Sequence, residues 1–110
     1  MSDHPWAAQP VDAGGLVDYQ AGGIVSRQIV KKTTGNVTLF AFDRGQELTE
    51  HTSSFDALVH VLEGIAEIVV AGRVHEVREG QYLLLPAHVP HAVKATERFK
   101  MALTMIRDAS

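Results

Sequence analysis

From Ile24 onward the chain is a succession of short apolar and β-branched runs, most of them closed by Gly, Pro or Asp, with no stretch long and helically periodic enough for a convincing helix. The runs fall at 24–32, 36–43, 47–52, 57–63, 66–70, 73–77, 82–85, 91–95 and 99–107. Thr33-Thr34-Gly35 joins the first two as a hairpin whose Gly can take a positive φ, and Ala71-Gly72, Glu79-Gly80 and Pro86 through Pro90 punctuate the later ones. Strand alternation puts Thr38, Phe40 and Phe42 on one face of the second run and Val37, Leu39 and Ala41 on the other, so both faces need cover. In the last run Phe99, Met101, Leu103 and Met105 share a face. Short strands with Gly and Pro at the corners predict an all-β sandwich or barrel.

Composition adds mainly exclusions. A length of 110 residues predicts one domain, placed at 16–110, behind a loosely held leader at 1–15 that is rich in Gly and Pro and has little periodicity. Apolar residues make up 45% and charged residues 21%, and the formal charge of −3 is spread without a basic stripe, so no nucleic-acid partner is expected. With no cysteine, thiolate metal sites, disulfides and Cys nucleophiles are excluded. Neither a signal-like leader nor a membrane-length apolar run is present, and a cytoplasmic, membrane-free protein is expected.

Two segments carry the chemistry. The first runs from Gly45 through His51, Ser53 and Ala57 to Gly64, the second from Gly80 through Pro86 and His88 to His91. Together they resemble the paired motifs of the cupin superfamily, over about 43–95, in which three histidines and a glutamate from the two motifs hold a metal. Gly45, His51, Gly64, Gly80, Pro86 and His91 stand at family positions, whereas Ser53 replaces the second His, Ala57 the Glu, His88 the motif's last Gly and Ala95 its Asn. The resemblance implies a small, single-domain, cupin-type jelly-roll β-barrel. Its register implies that His51 and Ser53 face inward, with Ala57, Val59, Val61, His91 and Val93, while Leu58, His60 and Leu62 face out.

Neutral imidazole is a ligand for Zn, Fe, Ni, Cu and Mn, so His51 and His91 are the candidate metal ligands. A catalytic site of this kind takes three protein ligands. Ala57 offers only a methyl group and Ser53 a neutral hydroxyl, so a third donor would come from Glu47, which shares parity with His51, or from His88 on the turn. The opposite reading is that both histidines are polar residues satisfied by each other, by Ser53 or by water. Met101, Leu103 and Met105 are barrel core or, if a cavity remains, its deformable lining beside Val59. Three functions stay open: a binder of a small organic ligand at the barrel mouth with a degenerate, weakly held divalent metal site; a metal-dependent dioxygenase or isomerase using His51, His91 and a donor outside the motifs; and a structural protein with a filled barrel. The outward face of the early strands is expected to pack in a homodimer.

Overall fold

All nine runs form strands in the computed structural model, which describes residues 5–109. They are β1 (Ile24–Lys32), β2 (Gly35–Phe42), β3 (Glu47–His51), β4 (Asp56–Glu63), β5 (Ile65–Val70), β6 (Arg73–Arg78), β7 (Tyr82–Leu85), β8 (His91–Lys94) and β9 (Phe99–Ile106). Two antiparallel sheets result, one of five strands in the order β1-β2-β9-β4-β7 and one of four in the order β3-β8-β5-β6. Sequence neighbours are often not sheet neighbours, as the crossing connections of a jelly-roll barrel require.

The inward halves of the alternating strands make the core. Phe42, Val59, Val61, Ile68, Phe99 and Met101 are its largest fully buried side chains. Phe42 and Phe99, paired across β2 and β9, stack with ring centroids 4.5 Å apart. The β4–β5 turn depends on Gly64, which has φ +78° and lies so close to the neighbouring chain that a Cβ would stand 2.5 Å from the Arg98 carbonyl oxygen.

The outward face of the larger sheet differs from expectation. Residues 13–16 form a short 3-10 helix, and Val17 is buried on Leu39 and Ala41, with Leu16 and Tyr19 packed around them. Polar groups fix the same segment: the Lys100 ammonium donates to the Gly14 carbonyl at 2.7 Å, and the Trp6 indole donates to the Ile29 carbonyl at 3.0 Å. The described part of the 1–15 leader is thus tied down at Trp6, Ala13 and Gly14, while residues 7–12 stay exposed; the apolar cover of the strand face comes from Leu16, Val17 and Tyr19 just beyond it. Met1–His4 and Ser110 lie outside the described residues. The face assigned to a partner subunit is thus partly covered by the chain itself, leaving Tyr82, Leu84 and Ile106 exposed beyond the docked segment. Among the described residues no helix is long and apolar enough to cross a membrane.

Candidate site at the barrel mouth

Strands β3 and β8 place His51 directly opposite His91, with ring centroids 4.4 Å apart and planes at 67°. The pairing runs through a bulge. Leu48 faces Val93 and His51 faces His91, so three steps along β3 match two along β8. The extra residue reverses the alternation, and Leu48 and His51 point the same way despite odd spacing.

Each imidazole is held by the backbone carbonyl two residues before it. His51 Nδ1 lies 2.8 Å from the Thr49 carbonyl oxygen and His91 Nδ1 lies 3.2 Å from that of Val89. A carbonyl only accepts, so both Nδ1 atoms carry the proton, and in the neutral rings both Nε2 atoms carry a lone pair. Burial pushes the His91 imidazole below its ordinary range; the Val89 carbonyl opposes this shift and nearby His51 adds to it. His91 is buried, whereas His51 is exposed at the rim.

Behind the two rings is a cavity of about 170 Å³. Of the residues singled out from the sequence, His51, Ser53, Ala57, Val59, His91, Met101, Leu103 and Met105 line it. Glu47 and His88 do not. Glu47 pairs with Lys94 on the outward, exposed side of β3, because the bulge breaks the parity that linked it to His51. His88 is exposed on the turn with φ +67°, and its N–H donates to the Ser53 carbonyl at 2.7 Å. That left-handed backbone accounts for the glycine that the motif carries there.

Phe40, Leu48, Leu85 and Val93 complete the lining. Alternation already pointed to Phe40 and Val93; Leu48 carried no signal, since a bulge is invisible to a period of two. A larger surface groove of about 570 Å³ lies elsewhere, against Ile65, Glu67, Val74 and Glu76 on the outward positions of β5 and β6, and holds no imidazole.

The donor set does not fit a tightly held catalytic metal. Two correctly oriented imidazoles are present, but among the described residues no group of three or more His, Cys, Asp and Glu side chains converges. Ala57 is buried with only a methyl group to offer, and the Ser53 hydroxyl oxygen already accepts the Phe55 N–H at 3.1 Å. What the mouth offers is an apolar chamber with a few polar atoms at its rim, the usual composition of a small-ligand site.

The sequence matches the cupin-domain family model over residues 38–107. Among solved structures, a conserved protein of unknown function from Streptococcus pyogenes superposes with a TM-score of 0.89 at 35% identity, covering 94% of this chain and 90% of that one. A cupin 2 conserved barrel domain protein from Leptotrichia buccalis gives 0.83 at 40% identity over 86% of this chain and 46% of that one. A cupin-superfamily protein from Desulfitobacterium hafniense gives 0.88 at 24% identity over 97% of each chain, a likeness of fold alone. No curated protein sequence matches. The family model spans both motif segments and most of the barrel, and the chain belongs to the cupin family.

Proposed function

We propose that the protein is a small-molecule-binding cupin that takes an organic ligand into the barrel mouth, against His51 and His91. The observation that carries this reading is the apolar cavity of about 170 Å³ closed at one side by two imidazoles. An apolar cavity of about 150 Å³ accommodates a benzene-sized guest, so a single ring or a comparably small molecule fits. A divalent transition ion such as Zn, Ni, Fe, Mn or Cu is a weak, exchangeable guest of the same two imidazoles. The lack of a third converging donor among the described residues is what favours ligand binding over a metal-dependent dioxygenase or isomerase.

Two measurements test the proposal. Toluene added to the untagged chain should shift the amide resonances of Val59, Leu85 and Met101, and Ala57→Phe, which fills the cavity, should abolish the response. A spectrum unchanged by toluene and by its hydroxyl-bearing counterpart phenol alike would remove the ligand-binding reading. Elemental analysis should find metal well below one ion per chain. Stoichiometric metal that survives dialysis, and is lost in a His51→Ala/His91→Ala variant, would establish the metal-enzyme reading instead.

A further inference from the structure

The polar side of the cavity has a definite hydrogen-bonding sense. Both Nδ1–H groups are used by the backbone carbonyls two residues earlier, at Thr49 in β3 and at Val89 in the turn before β8, so the free nitrogen of each neutral ring is an acceptor. Among the described residues neither Nε2 has a protein hydrogen-bond partner; His51 is exposed, and the His91 Nε2 is not among buried atoms left without a partner, so both lone pairs remain open to a ligand. Ser53, on the same cavity wall, accepts the Phe55 N–H and so keeps its own hydroxyl proton to donate. Everything else on the wall is apolar: Phe40, Leu48, Val59, Leu85 and the two methionines among it.

We infer that the barrel mouth selects a small apolar molecule bearing a hydroxyl group, of phenol-like chemistry, whose proton is received by an imidazole Nε2 of the His51–His91 pair and whose oxygen can accept from Ser53. This rests on the ligand-binding function proposed above and specifies the ligand's chemistry. A carboxylate of the same size is disfavoured, since it would bring negative charge against two lone pairs, in a chamber where no Lys or Arg lines the wall. An ether or a plain hydrocarbon fills the space but leaves the acceptors unmet.

The test is a set of four single-ring aromatic probes, the isosteric pair toluene and phenol with the slightly larger anisole and benzoate, titrated into the full, untagged chain with chelator present. Amide and imidazole ¹⁵N shifts are followed at about pH 8, where unperturbed imidazole is neutral. Phenol should bind roughly tenfold more tightly than toluene or anisole, the gain of about one net hydrogen bond, with benzoate weakest. Phenol should also move the His Nε2 resonances. In His51→Phe, a change at an exposed residue, the ratio of phenol to toluene affinity should fall toward one. Equal affinities for toluene, anisole and phenol would overturn the inference and leave the binding function standing, and tighter binding of benzoate would overturn it as well. If none of the four binds, the proposed function itself falls.

Discussion

Leu48 and His51, three residues apart on one strand, both face the cavity because a bulge in β3 sets three of its steps against two of β8. One inserted residue thus exchanges the carboxylate of Glu47 for an isobutyl group on the cavity wall. Glu47→Gln should accordingly leave toluene affinity unchanged, whereas Leu48→Ala should weaken it several-fold by removing about 1–2 kcal/mol of apolar contact. Calorimetric titration of the two variants checks this, and equal effects would contradict the register.

Gly64 and His88 share a positive φ but should respond oppositely to substitution. Gly64→Ala meets both an unfavourable backbone region and a carbonyl oxygen at 2.5 Å, so a loss of at least about 2 kcal/mol is expected. His88→Gly relieves the left-handed backbone at an exposed position and should be neutral to stabilising by up to about 1 kcal/mol. Urea unfolding measures both.

Asp43 ties the chain before β1 to the turn before β9, accepting the Gly22 N–H at 2.7 Å and the Arg98 Nε–H at 2.8 Å. The Gly22 N–H first, then the Arg98 guanidinium and the Arg44 N–H, hold its carboxyl down at about 2, below the ordinary 3.8. A depressed carboxyl contributes stability that is complete above the unfolded value and is lost as pH falls through the folded one. The difference in Tm between the parent and Asp43→Asn should therefore be largest above about pH 5 and shrink toward pH 2. A difference that grows on acidification would refute the assignment.

The docked amino-terminal segment predicts a stability effect far from the site. Val17 is 3% exposed against Leu39 and Ala41, so Val17→Asp both loses that burial and forces a charge onto an apolar face. A loss of at least about 2 kcal/mol is expected. If it unfolds at the same denaturant concentration as the parent, the segment does not cover the sheet in solution.

Ser53 and Ala57 both line the cavity beside the two imidazoles, so donors restored there are already aimed inward. Ser53→His/Ala57→Glu should raise divalent-metal affinity by orders of magnitude. Without metal the variant should be destabilised by about 1–3 kcal/mol through the buried carboxylate, and metal should restore its Tm. Calorimetry with Zn and Ni decides the matter: equal, weak affinities for parent and variant would show that barrel geometry limits binding.

The alternation of short runs, read with Gly and Pro at their ends, was enough for all nine strands. The two motif segments sufficed for the cupin barrel and for the pairing of His51 with His91. Both are local signals: side-chain direction in a strand has a period of two, and a turn needs particular residues at particular φ. Glu47 was misplaced because the register across β3 and β8 depends on which residue the partner strand accommodates as a bulge, and that is settled only when both strands meet. Residues 6–17 likewise show no period, since their order comes from Leu39, Ala41, Ile29 and Lys100, all remote in sequence. The hydrogen-bonding sense of the site also belongs to the tertiary structure, because it is set by carbonyls two residues before each histidine that turn toward the ring only in the folded chain.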